Sequence, residues 1–476
     1  MASTMTVERR SIDVIPAAER HGSPTNQLTL WLGANLQITA VVDGALAVVF
    51  GADALWAIIG VLVGNVVGGV VMALHSAQGP RLGLPQMISS RAQFGVYGAV
   101  IPLVLVIVMY LGFTATGTVL AGQAINAFLH VDAAAVGILL FTAVVAVISI
   151  VGHNLIHRVG RVASILGIVG FAYLAIRLFT QHDVSASFGT HYGTVPFLLA
   201  VSLGAGWQLT FGPYVADYSR YLPEDTSERS VFWATLAGSV IGSQVSMTLG
   251  VLVAAVAGDA FLGNQVEWLG GLAGPAAIAA IIYLVIAAGK LTVTCLNAYG
   301  SFMCASTIVT GFSGAQRVGR RTRVAFILAM LLVSMLIALW ASADFLSNFK
   351  NFVLLLLMVF TPWSAINLTD YYLVAKERVD LPALYDPDGR YGRWNAAAIT
   401  TYVVGILVQV PFLAQTMYTG PLTDKLGGAD ISWIVGLILP AVMYYLWASR
   451  RNVAPSEIIR MPADRSASAQ ATTTAP

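Results

Sequence analysis

Long apolar runs separated by basic gaps leave this chain little choice of architecture. Runs able to cross a hydrocarbon core of ~30 Å as helices of about 20 residues recur from about Gln27 to Ser449. The chain is 57% hydrophobic and only 10% charged, where soluble domains carry roughly a quarter charged residues. This pattern predicts an all-α, polytopic integral membrane protein.

Twelve spans are read, approximately 27–50, 54–75, 97–123, 133–153, 160–181, 192–216, 230–256, 273–302, 322–343, 349–371, 394–416 and 430–449. An even number places both termini on one side. Of the 25 Lys and Arg, all except Arg177, Lys290, Lys350 and Lys425 then fall on that side, including the Arg317, Arg320, Arg321, Arg323 cluster. Cytoplasmic loops carry the excess of Lys and Arg, so the expected location is the cell's inner (plasma) membrane with both termini cytoplasmic. The polar stretch 1–26 reads as a cytoplasmic tail without the apolar core of a signal peptide. The Ser-, Ala- and Thr-rich stretch 454–476 reads as a disordered tail.

Several function classes fall away. The net charge of +2 reflects topology signals and offers no footprint for nucleic acid. No gap between spans is long enough for a soluble catalytic domain, and no phosphate-cradling glycine loop supports ATP-driven pumping. A membrane enzyme needs a cluster of His, Asp or Glu at one depth, and a channel needs a charge ring or a repeated pore loop; the sequence has neither. His153 and His157 lie one turn apart at a span boundary beside Arg158, a place for interfacial packing more than for a metal. Cys295 and Cys304 share span eight and read as buried thiols.

Two spans are interrupted near their middles. Span one carries Gly33, Asn35, Gln37 and Thr39 within two turns, and span six carries Gly204, Gly206, Gly212 and Pro213 around Trp207, Gln208 and Phe211. Freed backbone groups are tolerated at membrane depth only inside protein or facing a wet cavity. Interrupted segments at matching positions of two halves point to the binding site of a secondary transporter, and spans one and six are five apart. Gly60, Gly64 and Gly68 on span two read instead as a close-packing stripe.

Span eight adds Lys290, Thr292, Thr294 and Asn297. Helical spacing puts Lys290, Thr294 and Asn297 near one stripe and separates Thr292 from Thr294. An ammonium so deep needs a carboxylate, carbonyls or water. The other deep charge is Asp43, which either pairs with Lys290 or faces the outer vestibule. At the end of span six, Asp217 and Arg220 form either an inner gate or an ordinary interfacial pair.

Ordered motifs add a resemblance. Glu19-Arg20-His21-Gly22, Trp31-x-x-Ala34-Asn35-Leu36 and the loop Pro85-Gln86-Met87-Ile88-Ser89-Ser90-Arg91-Ala92-Gln93-Phe94-Gly95 come first. Ala216-Asp217-Tyr218-Ser219-Arg220-Tyr221, Leu296-Asn297-Ala298-Tyr299-Gly300-Ser301 and Asp370-Tyr371-Tyr372 follow. Together they resemble the nucleobase–cation symporter 1 family, most of all its purine–cytosine permease branch.

The resemblance implies a leucine-transporter fold. Spans 1–5 (27–181) would form one inverted repeat, spans 6–10 (192–371) the other, and spans 11–12 (394–449) two further helices. It implies import of a small planar heterocycle, cytosine or purines foremost, with allantoin, a hydantoin or a vitamin precursor as the alternative. The family's stacking position on span three falls on Phe113, and an amide position one turn on is Gly117 here. Trp207 or Phe211 would supply the second aromatic. Gln37, Gln208 and Asn297 are the candidates for reading ring nitrogens and carbonyls, since an amide both donates and accepts.

No cofactor is expected beyond a coupling ion, Na+ or H+. A sodium ion would use the carbonyls of Gly33 and Leu36 with Thr292 or Thr294. Lys290, a turn away, would repel sodium or replace it, which favours proton coupling. Oligomeric state is not legible.

Overall fold

The computed structural model describes residues 13–151, 153–189, 191–313, 319–416, 418–450 and 454–461. Of the tail 454–476, expected to be disordered, residues 454–461 are described and Ile459 pairs with the backbone beside Asp380; residues 462–476 lie outside the described residues, as do Arg9, Arg10, Arg317, Arg451 and the side chains of His153 and His157.

Span one is two helices. α1 (Pro24–Asn35) and α2 (Ile38–Val49) meet at a 61° bend, with Leu36 and Gln37 as the extended link. There follow α3 (Ala54–Leu82), α4 (Val100–Leu129), α5 (Ala134–Val151) and α6 (His153–Gln181). α7 (Thr194–Leu209) ends and passes into a tighter turn at Gly212–Tyr214. Pro213 cannot donate to a continued helix, so the break falls where the sequence places it. α8 (Glu228–Ala257), a short α9 (Gln265–Ala273) and α10 (Ala276–Ser313) come next. α11 (Arg320–Ala341), α12 (Phe345–Leu368), α13 (Ala396–Leu407) and α14 (Ser432–Ala448) complete the set.

These helices form two groups. α1, α2, α3, α7 and α8 make a tight bundle; α4, α5, α10 and α11 make a frame against it, with α6 packed on α10 and α12 between bundle and frame. The bundle is tight because glycines let backbones touch. A Cβ on Gly64 of α3 would overlap the Val201 carbonyl oxygen of α7, and one on Gly250 of α8 would overlap the Val41 carbonyl oxygen of α2. The span-two glycine stripe therefore serves packing within the chain.

Both described chain ends meet on one face, here termed the terminal face. The Ile15 amide donates to the Gly83 carbonyl at 2.9 Å, the Leu381 amide donates to the Ile459 carbonyl at 2.9 Å, and the Ile459 amide donates to the Val379 carbonyl at 3.0 Å. The loop 85–95 folds inward there, and Arg91 is buried, donating to the carbonyls of Leu384 and Thr307 at 3.1 Å each. Cys295 and Cys304 are buried and unbonded to each other.

Overpacking a close-packed interior costs about 1–3 kcal/mol, more where backbone must move. Gly64→Val is therefore expected to lower the melting temperature of the purified protein clearly. Gly271→Ala, whose methyl would meet no atom within 4 Å, should leave it unchanged. Equal melting of the two variants would refute the contact.

Candidate functional site

Ending a helix in mid-membrane leaves backbone groups without partners, and the break in span one shows how they are satisfied. The Asn35 carbonyl accepts from Ser246 Oγ of α8 at 2.9 Å, and the Ala34 carbonyl accepts from Gln37 Nε2 at 3.0 Å. Asn35 is the hub. Its Nδ2 donates to the Trp31 carbonyl at 2.7 Å and to Ser239 Oγ at 3.1 Å. Its Oδ1 accepts from Trp207 Nε1 at 2.6 Å and from Ser243 Oγ at 2.9 Å. One amide thus fixes the indole plane of Trp207 to the break.

Trp207 faces the frame. Its ring lies edge-on to Phe113 of α4, with centroids 6.0 Å apart and planes at 89°. Phe113 is half-buried and also meets Phe352 at 5.2 Å. Phe211 lies behind, packed against Trp207 at 5.8 Å and against Trp31 at 5.3 Å. Of the two aromatics proposed for span six, Trp207 is the one paired with Phe113.

Across the same seam lies α10. Lys290, Thr294 and Asn297 are buried on one stripe, as their spacing predicts. Lys290 Nζ donates to Gln37 Oε1 at 2.6 Å and to Thr39 Oγ1. A Cβ on Gly117, one turn beyond Phe113 on α4, would meet Lys290 Cδ at 3.3 Å and Thr294 Oγ1 at 3.4 Å. Gln37, Phe113, Gly117, Trp207, Lys290 and Thr294 therefore converge. Asn297 Nδ2 is buried with no hydrogen-bond partner.

Three expectations need correction. Gln208 does not face the seam. It is one residue from Trp207, hence about 100° round the helix, and its amide is consumed on the far side. Nε2 donates to Asn65 Oδ1 and Ser243 Oγ at 3.0 Å each, and Oε1 accepts from Ser239 Oγ at 2.6 Å. Thr292, expected as an alternative to Thr294 in holding a sodium ion, turns its hydroxyl back to the Ala288 carbonyl of its own helix at 3.3 Å. Asp43 is fully buried, yet neither carboxylate oxygen has a hydrogen-bond partner, and it forms no ion pair with Lys290. Gly33 and Leu36 flank the break, and an ammonium occupies the Gln37–Thr39 level beside them.

The proposed gate lies on the terminal face. Asp217 Oδ1 accepts from the Gln86 amide at 2.8 Å, and Arg220 Nε donates to the Asp217 carbonyl at 3.2 Å. A buried polar chain continues from there. His75 contacts Ser364 at 3.1 Å, Gln78 donates to Asn367 at 3.0 Å, Asn367 to Gln93 at 3.1 Å, and Gln93 to Asp370 at 2.8 Å.

Sequence reasoning missed Asn35 as a hub, together with Ser239, Ser243 and Ser246. Their helical spacing on α8 was the available signal. Asn35→Ala would leave the Trp207 indole N–H without an acceptor, at about 1–3 kcal/mol. The expected result is a lower melting temperature and a changed tryptophan emission spectrum; an unaltered spectrum and melting point would contradict the hub.

Comparison with known proteins supplies the family and the fold. Residues 14–436 match the family model described as permease for cytosine/purines, uracil, thiamine, allantoin. The "Putative purine-cytosine permease YxlA" of Bacillus subtilis is 38% identical over 443 residues, covering 93% of this chain and 96% of that one. The purine-cytosine permease fcyB of Emericella nidulans is 25% identical over 476 residues, covering 93% and 89%. Among solved structures, the inward facing conformation of Mhp1 superposes with a TM-score of 0.77 at 17% identity, over 96% of this chain and 97% of that one. The likeness establishes a leucine-transporter fold, and the relatives are permeases. The chain is therefore a multi-pass membrane protein of the nucleobase–cation symporter 1 family, to which the cytosine and purine permeases belong.

Proposed function

We propose that this protein is a secondary active importer of a planar nucleobase-type heterocycle, purines or cytosine foremost, coupled to protons. The observation that carries the reading is the seam at the span-one break. There an aromatic pair, Phe113 and Trp207, lies one turn along α4 from Gly117, which faces Lys290 where that residue meets Gln37, and the unpartnered amide of Asn297 is on the Lys290 stripe. A flat heterocycle offers each ring a π face, and its edge offers polar atoms to amides.

The two helix groups supply a means of alternating access. The glycine-packed bundle holds α1, α2 and Trp207, while the frame holds Phe113 and α10. A ligand held between them is contacted by both, so relative movement of the groups exposes it to one side or the other. Substrate and ion drive transport only insofar as they bind one arrangement better than the other.

Lys290 supports proton rather than sodium coupling. Its ammonium lies at Gln37 and Thr39, and the Thr292 hydroxyl is turned to the Ala288 carbonyl of its own helix. A fixed positive charge there opposes a second cation, while a proton gained and lost at nitrogen needs no separate ion site. The terminal face gathers the basic loops, which supports a cytoplasmic orientation for it and a plasma-membrane location.

Uptake of labelled purine or cytosine into permease-deficient cells tests the reading. Saturable uptake is expected, abolished by a protonophore and indifferent to replacement of sodium. Sodium-dependent uptake would overturn the proton assignment, and absence of uptake for every nucleobase would overturn the substrate assignment. Phe113→Ala should reduce uptake at least tenfold, whereas Phe113→Trp, which keeps a π face, should retain most of it. For orientation, a cysteine placed in the terminal-face loop at Asp388, exposed in the structure, is expected to resist an impermeant thiol reagent added outside intact cells.

A further inference from the structure

The polar atoms at the seam are not balanced between donors and acceptors. An ammonium carries three N–H donors and accepts nothing; Lys290 directs two toward Gln37 Oε1 and Thr39 Oγ1. That bond occupies the acceptor of Gln37, and its Nε2 is engaged by the Ala34 carbonyl at 3.0 Å. Asn297, on the same stripe of α10, has a buried Nδ2 without any acceptor. The indole N–H of Trp207 is satisfied by Asn35. The third N–H of Lys290 and Nδ2 of Asn297 are thus donors left for a ligand's edge, beside the hydroxyls of Thr114 and Ser301, which are also buried without partners and can donate or accept. The unpartnered acceptor nearby, Asp43, lies a full turn beyond Thr39 on α2 and so away from the level of Gln37.

Lys290 also lacks a counter-charge. Its two partners are neutral, and among the described residues no carboxylate forms an ion pair with it. A buried charge with incomplete compensation favours a ligand that brings electron density to it. Gly117 sharpens this. The missing side chain leaves the Lys290 stem in contact with α4, where a Cβ would come within 3.3 Å of Cδ. In the ring code of nucleobases, a 6-oxopurine presents adjacent acceptors at N7 and O6, a pair that Lys commonly reads. Adenine replaces O6 with an amino donor, and cytosine presents an amino donor where uracil has O4.

We propose that Lys290 is a substrate-contacting specificity residue, and that with Asn297 it selects heterocycles presenting a carbonyl edge, the 6-oxopurines above all, over their amino counterparts. The proposal rests on the nucleobase reading of the seam and narrows its substrate class. An oxo edge completes the donor set of Lys290 and gives Asn297 an acceptor. An amino edge opposite Lys290 sets donor against donor in a buried place, because an ammonium cannot accept, and a group placed to hydrogen-bond an acceptor disfavours the analogue that lacks one.

The test is equilibrium binding to the purified full-length protein, read by tryptophan fluorescence, for the matched pairs hypoxanthine–adenine and uracil–cytosine. The wild-type protein is expected to bind each oxo member at least tenfold tighter than its amino partner. In Lys290→Met this oxo-to-amino ratio should collapse at least tenfold. Lys290→Gln, which keeps a shorter donor, should give an intermediate ratio and serves as the readout if the Met variant does not fold. Equal affinities in the wild-type protein, tighter binding of the amino members, or a ratio unaffected by either substitution would each overturn the proposal while leaving the nucleobase reading intact. Binding of none of the four bases would overturn both.

Discussion

Everything in this structure depends on satisfying a backbone that stops being helical in the middle of a membrane. The break between α1 and α2 frees amide groups where no lipid can accept or donate a hydrogen bond. Side chains replace the missing helix: Gln37 covers Ala34, Ser246 covers Asn35, and Asn35 itself joins α1 to α7 and α8. That replacement works only at short range. α8 must approach α1 and α2 almost backbone to backbone, which is why Gly238, Gly242 and Gly250 line the approach. The functional polar residues and the packing glycines are parts of one solution.

The same solution separates two kinds of contact. Within the bundle, amides and hydroxyls are saturated, and Gln208 with Asn65, Ser239 and Ser243 is the clearest case. At the seam with the frame, saturation is incomplete: Asn297 Nδ2, Thr114 Oγ1 and Ser301 Oγ are buried without partners. A fully bonded interior resists rearrangement because each lost bond leaves a buried group unsatisfied. An interface with unfilled hydrogen-bonding capacity is where a ligand can bind and where two rigid groups can move. On the terminal face, the chain running through Gln78, Asn367, Gln93 and Asp370 to Tyr444, which bonds Asp370 at 2.9 Å, ties α3 and the inward-folded loop to α12 and α14. The buried contacts of Arg91 anchor that loop.

Much of this was legible in the residues. Apolar runs marked the spans, Gly-Asn-Gln and Gly-Pro interruptions marked the breaks, and helical spacing put Lys290, Thr294 and Asn297 together and set Thr292 apart. The motif order carried the family. Gln208 was misread because composition shows that a polar residue lies beside a break but not which way it points. A rotation of about 100° per residue separates Trp207, which meets Phe113 across the seam, from Gln208, bonded within the bundle. Asn35 was seen only as part of a motif, since its four partners come from residues up to 208 positions away.

The sequence alone determined that the chain spans a membrane as helices, where two of them break, and which family of transporters it resembles. Those properties follow from local hydrophobicity, backbone chemistry and short motifs, all of which act over one or two turns. Only the tertiary structure decided that Lys290 bonds to Gln37 and Thr39 and not to Asp43, that Trp207 is the partner of Phe113, and that Gln208 belongs to the scaffold. Each depends on the distance and rotation between helices far apart in the chain, which glycine contacts set to within an ångström and which no local pattern encodes.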